Sequence, residues 1–153
     1  MNAAAELARP HLRQHEPMAR HTSWRVGGPA DVYFEPNDLP ELQAFLAGLP
    51  AGTPLLWVGL GSNLLVRDGG FRGAVVCLGK GFAGIAALDE RTLTAGAAVP
   101  CAKLAQQLGR AGLAGGEFLA GIPGTVGGAL AMNAGAHGGE TWQRVRAVQT
   151  IDR

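Results

Sequence analysis

Leu55-Leu56-Trp57-Val58-Gly59-Leu60-Gly61-Ser62-Asn63 is the stretch on which the reading of this chain turns. Leu55–Val58 is a short run of large apolar residues, the pattern of a buried strand, and Gly59 breaks it. Glycines at a strand exit let successive backbone N–H groups point inward as a nest for an anion. Ser62 and Asn63 add side-chain donors, and phosphate is the natural guest. A tight turn joining two strands is the other reading of the same five residues. The dinucleotide fingerprint of doubly wound sheets is not matched, because Leu64 stands at the third glycine position and no long helix follows. A P-loop is excluded, since no Gly-Lys-Ser/Thr follows.

Upstream, Asp38 is placed to cap a helix with Pro40 in its first turn and Gly48 near its end. Leu42, Phe45, Leu46 and Leu49 form its apolar stripe. Asp31–Glu35 reads as a strand, and Thr22–Pro29 (TSWRVGGP) as an alternating stretch that ends in a Gly-Gly-Pro turn. Residues 1–20 read as a polar arm with a short helix at Ala3–Ala8. His11 and His15 are four apart, but Pro10 and Pro17 crowd them, so they read as solvated rather than as metal ligands.

Downstream, Leu64–Val66 resumes the apolar pattern before the turn at Asp68-Gly69-Gly70. Gly73–Leu78, Ile85–Leu88 and Thr92–Ala95 read as strands, and Pro100–Leu113 as a helix with Leu104, Leu108 and Ala111 on one face. Gly115–Gly139 (GGEFLAGIPGTVGGALAMNAGAHGG) is the least ordinary segment. Ile122-Pro123-Gly124 forces a turn, and Gly127-Gly128 allows another surface to approach the backbone closely. Asn133 sits among alanines and glycines, where its amide either caps local backbone or meets the polar edge of a ligand. Arg144–Ile151 alternates as a strand would. The mixture, with strands clustered mid-chain, indicates α+β or α/β rather than a clean βαβ alternation.

The 153 residues suit one domain of ordinary size, or one and a half. A net charge of +1 argues against electrostatic nucleic-acid binding. No apolar run reaches about 18 residues, so no ordinary membrane span is expected. No secretory signal is legible in the first 20 residues. Cys77 and Cys101 lack metal-site spacing and read as buried thiols, which fits a reducing cytoplasm.

Taken together, four stretches carry a resemblance. They are Thr22–Asp31 (TSWRVGGPAD), Gly59–Leu65 (GLGSNLL), Gly69–Val76 (GGFRGAVV), and Glu117–Ala129 continuing through Met132–Gly138. In this order they resemble the N-terminal part of the bacterial UDP-N-acetylenolpyruvoylglucosamine reductases (UDP-N-acetylmuramate dehydrogenases), over roughly residues 20–153. The resemblance implies an α+β FAD-binding domain of the vanillyl-alcohol-oxidase type, two small lobes with FAD between them, the second truncated. On it, residues 1–20 are the arm and 21–153 the incomplete FAD-binding domain, without its substrate domain.

The implied chemistry is reduction of FAD by NADPH, then of the enolpyruvyl group of a UDP-sugar, for peptidoglycan synthesis. Gly59, Leu60, Gly61, Ser62, Asn63 and Leu64 would cradle the FAD pyrophosphate. Ile122, Gly124, Thr125, Gly128, Ala129, Asn133 and Gly135 would line the flavin and adenine sites. Arg25 would touch the cofactor or form a structural ion pair. His137 stands where many members have tyrosine. The family's catalytic arginine, serine and glutamate lie past Arg153, so no catalytic residue and no metal ligand is assigned here, and the chain alone is expected to be inactive. FAD is expected to be non-covalent, because residues 55–70 hold no linking histidine. Another FAD-linked oxidoreductase of this fold, or a non-catalytic nucleotide-binding fragment, remains the alternative.

Overall fold

A computed structural model describes residues 11–152, and the chain divides at Gly79/Lys80 into two compact units. The expected helix at Ala3–Ala8 lies outside the described residues. The first unit is a four-stranded sheet in the order β1-β2-β4-β3, built from β1 (Leu12–Pro17), β2 (Pro29–Phe34), β3 (Leu55–Val58) and β4 (Phe71–Cys77). β1 runs antiparallel to β2, while β2 and β3 each pair with β4 in parallel. Ala74, Val75 and Val76 are fully buried, as the unbroken apolar run of a central strand requires.

Helix α1 (Leu39–Gly48) links β2 to β3. Asp38 caps it by accepting the Glu41 N–H at 2.8 Å, and Pro40 stands in the first turn, where its missing N–H costs nothing. Its buried face is Leu42, Phe45 and Leu46, and the Phe45 ring stacks on Phe34 with centroids 4.1 Å apart. A second cluster holds Met18, Ala30, Tyr33, Val58, Val66 and Val75.

The solvated arm expected over residues 1–20 is not what the structure has at 12–20. Leu12–Pro17 is the edge strand β1, paired from Leu12↔Phe34 to Pro17↔Pro29, and a 3₁₀ turn at Met18–Arg20 follows. LRQHEP lacks apolar alternation because its inward residue is the charged Glu16, so the backbone ladder rather than side-chain hydrophobicity makes this strand. His11 precedes β1, and His15 lies within it at φ 51°.

The second unit has the hairpin β5 (Ile85–Asp89) and β6 (Thr92–Ala95), then helix α2 (Cys101–Arg110). After a 3₁₀ turn at Glu117–Gly121 come helix α3 (Val126–Met132) and the small hairpin β7 (Gly135–Ala136) and β8 (Gly139–Glu140). Cys101, Phe118, Leu119, Ile122 and Ala129 form its core, with Leu104 and Leu108 of α2 packed against them. Ala111 of the expected face is exposed, beyond the end of α2. Helix α3 is not evident in the sequence, because Gly127 and Gly128 oppose it; it is held at both ends instead. Thr125 Oγ1 accepts the Gly128 N–H at 3.3 Å, and Asn133 closes the other end at φ 45°.

Arg144–Ile151 is not a strand: residues 145–151 pair with no described strand. Alternation supplies a face, but a strand exists only where its backbone groups find a ladder. The α+β class stands, with helices and mostly local or mixed sheets in both units.

Candidate functional site: a glycine-loop nest

In the first unit the loop Gly59–Asn63 leaves the carboxyl end of β3, the usual ligand end of a parallel sheet. The Thr22–Pro29 stretch runs beside it. Ser23 N–H donates to the Gly61 carbonyl at 3.0 Å, and Gly28 N–H donates to the Arg67 carbonyl at 3.0 Å. Gly61 adopts φ +65°, and a Cβ on it would collide with the His21 carbonyl oxygen; one on Gly28 would collide with the Asp68 carbonyl. A Cβ on Gly70 would likewise collide with the Pro29 carbonyl, so the structure packs the first three motif stretches into one piece. The glycine at 61 is therefore required by the fold itself. This changes the meaning of a substitution there: it tests folding before it tests ligand approach.

What the loop leaves open is its donors. Among the described residues, no acceptor takes the backbone N–H of Leu60, Gly61, Ser62 or Asn63, and the Ser62 and Asn63 side chains have no hydrogen-bond partner. A hollow of about 750 Å³ adjoins Gly59 and Leu60 and is lined also by Arg20, His21, Ser23 and Arg25. Arg25 is held at φ 55°, its N–H donating to the Thr22 carbonyl at 3.1 Å, and its guanidinium makes no ion pair with a described residue. Of its two expected roles, the structural ion pair is thus not what the described residues provide. Leu64 is half-buried, packed against the Met18–Val75 cluster.

Neutral donors and a guanidinium that pairs with no described residue suit an anion. The nearby sulfur and phenol do not suit nucleophilic work. Burial, then the neighbouring Cys77, pushes the Tyr33 phenol up, and burial pushes the Cys77 thiol up too. Both stay neutral and protonated near pH 7. The Cys101 thiol in the other unit is also raised by burial.

In the second unit, Ile122 and Ala129 turn their side chains into the core, leaving only backbone to offer a ligand. Gly124 and Thr125 are tied to α2's start: Cys101 N–H donates to the Gly124 carbonyl at 2.9 Å, and Val126 N–H to Val99 at 2.8 Å. A Cβ on Gly127 would press on Ala97, whereas one on Gly128 would meet only the Thr125 hydroxyl at 3.5 Å, so the Gly128 face is open. The Asn133 amide is used locally: Nδ2 donates to Glu140 at 3.0 Å and Oδ1 accepts the Trp142 N–H at 3.1 Å. The indole of Trp142 donates in turn to the Leu130 carbonyl at 3.0 Å, and Thr141 Oγ1 to Ala134 at 2.7 Å. This strap fixes the turn that carries Gly135. Of the two roles the sequence left open for Asn133, local backbone capping is the one its amide has; the Glu140 and Trp142 partners left no sign in the sequence.

Among the described residues no three His, Cys, Asp or Glu side chains cluster as metal ligands, and no helix is long and apolar enough to cross a membrane.

Comparison with known proteins gives this geometry its class. The family model described as an FAD binding domain matches residues 30–153, and the chain belongs to that family. Its relatives name a narrower group. The chain is 56% identical over 154 residues to the UDP-N-acetylenolpyruvoylglucosamine reductase of Alkalilimnicola ehrlichii, covering 100% of this chain and 51% of that protein. It is 56% identical to the same enzyme of Methylococcus capsulatus, covering 92% of this chain and 46% of that one. The crystal structure of UDP-N-acetylenolpyruvylglucosamine reductase from Thermus caldophilus superposes with a TM-score of 0.67 at 35% identity, over 85% of this chain and 46% of that one. The resemblance carried by the four motif stretches is thereby borne out, for the N-terminal part of these reductases. The chain spans about half the length of the curated relatives it matches.

Proposed function

We propose that this chain binds FAD without a covalent link and supplies the flavin-holding part of a UDP-N-acetylenolpyruvoylglucosamine reductase. The observation that carries the reading is the Gly59–Asn63 loop, whose N–H groups and Ser62 and Asn63 side chains have no acceptor among the described residues. A diphosphate needs several convergent donors and no carboxylate beside them, and residues 59–65 contain no acid. Gly59, Leu60, Gly61 and Leu64 give the loop its path, Ser62 and Asn63 give it side-chain donors, and Arg25 adds charge. In the second unit, backbone at Ile122, Gly124, Thr125, Ala129 and Gly135 and the open face of Gly128 serve the flavin and adenine, and Asn133 holds that backbone in place.

When bound, FAD supplies hydride chemistry from NADPH to the enolpyruvyl group of the UDP-sugar. The chain's own part is to bind and orient. It assigns no proton donor, so on this reading the 153 residues hold flavin without turning over the UDP-sugar, in a cytoplasmic setting. The test is equilibrium titration with FAD and with FMN, followed by denaturation and identification of the released chromophore. FAD bound more tightly than FMN, and released intact, is the expected result. Equal affinity for FMN, or colour that stays with the polypeptide, would overturn it.

A further inference from the structure

Glu16 is a charged side chain that flavin binding does not call on, and it is only 7% exposed on β1. Its Oε1 lies 2.9 Å from His21 Nε2, 3.4 Å from Arg13 Nη1 and 3.8 Å from Arg20 Nη1. One carboxylate oxygen thus gathers three basic groups. Burial alone pushes this carboxyl up, but the His21 hydrogen bond and the Arg13, His21 and Arg20 charges outweigh it and hold it below the ordinary range. Pairing explains how a buried charge survives, not what it is for.

The far side of His21 supplies a purpose. Its ring stacks on Tyr33, centroids 4.1 Å apart, so carboxylate and phenol ring hold the imidazole from two directions. Arg13 caps the same Tyr33 ring at 5.2 Å. The His21 backbone carbonyl abuts the Cα of Gly61, and Ser23 N–H holds the Gly61 carbonyl. The segment His21–Ser23 is the wall against which the nest rests, and it lines the adjoining hollow.

We infer that Glu16 is a positioning residue for the anion nest: acting through His21, it sets the wall that shapes Gly59–Asn63 and so the affinity for the diphosphate of the flavin cofactor. The inference rests on the FAD reading above. Glu16 touches no ligand; Arg13, Arg20 and His21 are the groups that face it, and Tyr33 backs His21.

The experiment compares the unmodified chain with Glu16→Ala and Glu16→Gln. FAD affinity is read by titration, and at saturating FAD the phosphorus resonances and the visible flavin band are recorded. Glu16→Ala is expected to weaken FAD about tenfold, the lower end for a contact once removed from the ligand. It should also shift the diphosphate resonances while leaving the flavin band in place. Glu16→Gln keeps an acceptor for His21 and is expected to recover part of the loss; if the alanine variant does not fold, the glutamine variant decides. Unchanged affinity and phosphorus resonances refute this inference alone. Weaker binding without a phosphorus shift also refutes it, because Glu16 would then serve the fold at large. If the unmodified chain binds no FAD, the flavin reading falls first and this inference with it.

Discussion

Replacing Gly61 with alanine is expected to destabilise the first unit rather than merely blunt its ligand loop. The residue sits at φ +65°, where a side chain costs about 1–2 kcal/mol. Its Cβ would collide with the His21 carbonyl, so one backbone must move. The move breaks the Ser23 N–H to Gly61 hydrogen bond, worth about 1 kcal/mol, and tilts His21 away from a buried Glu16. The two costs sum to about 2–3 kcal/mol, before any loss at the His21–Glu16 contact, against the roughly 5–15 kcal/mol that holds a domain together. Gly69→Ala is the control: no atom lies within 4 Å of its Cβ, and a change within about 0.5 kcal/mol is expected. Urea unfolding followed by Trp24 and Trp57 fluorescence, in a shared Trp142→Phe background, reads the first unit by itself. A Gly61→Ala cost below about 1 kcal/mol, or one no larger than that of Gly69→Ala, would refute the packing argument.

Phe45→Ala should cost about 3–5 kcal/mol by urea unfolding, because the ring is buried and stacked on Phe34; under about 1 kcal/mol would mean that α1 does not dock as described. The Glu16 carboxyl titrates lower when folded than when unfolded, so its contribution to stability is present above the ordinary value of 4.5 and is lost as pH falls below it. Unfolding measured from pH 7 to pH 3 should therefore show a steeper acid loss in the unmodified chain than in Glu16→Gln, and parallel curves would contradict the pairing. Asn133→Ala loses the Glu140 and Trp142 bonds and keeps a side chain at φ 45°, whereas Asn133→Gly loses the bonds but relieves the strain. Alanine should thus be the worse by about 1 kcal/mol in melts followed by Trp142 fluorescence, and equal costs would remove strain from the account.

Elements with a local signature were legible, and those made by distant partners were not. Asp38, Pro40 and the Leu42–Phe45–Leu46 stripe announce α1, and Leu55–Val58 is a strand with its expected bounds. β1 was hidden because its stability lies in a ladder to β2 and its inward residue is Glu16. Helix α3 was hidden because Gly127 and Gly128 argue against helix, while its support comes from Thr125, Asn133 and the Trp142 strap. Arg144–Ile151 erred the other way: its alternation is real, but no described strand pairs with it. The site was legible as a loop and a residue set. The role of each glycine was not, since only the fold says whether a missing side chain faces protein or open space.

That distinction decides what the glycine motifs mean. At Gly28 and Gly61 the missing side chain lets two backbone segments of the same unit touch. A glycine kept for such contact would be needed with or without a cofactor, so it carries little evidence of one. The case for an anion lies in what the contact produces. Once Gly61 is pressed against His21 and bound through its carbonyl to Ser23, the loop has no freedom to turn its N–H groups back onto the protein. They have no acceptor among the described residues at the end of β3, near Ser62, Asn63 and an Arg25 guanidinium that pairs with no described residue. A rigid set of donors loses little entropy on binding, which favours a diphosphate over a mobile loop's own carbonyls. Gly128 is the opposite case, with only the Thr125 hydroxyl at 3.5 Å from where its side chain would begin, and on the proposed reading this glycine would bear on ligand approach. Substitution at Gly61 and at Gly128 should therefore separate: the first is read in stability, the second in FAD affinity at near-unchanged stability. An alanine at 128 that leaves affinity untouched would remove the second unit's glycines from the flavin site.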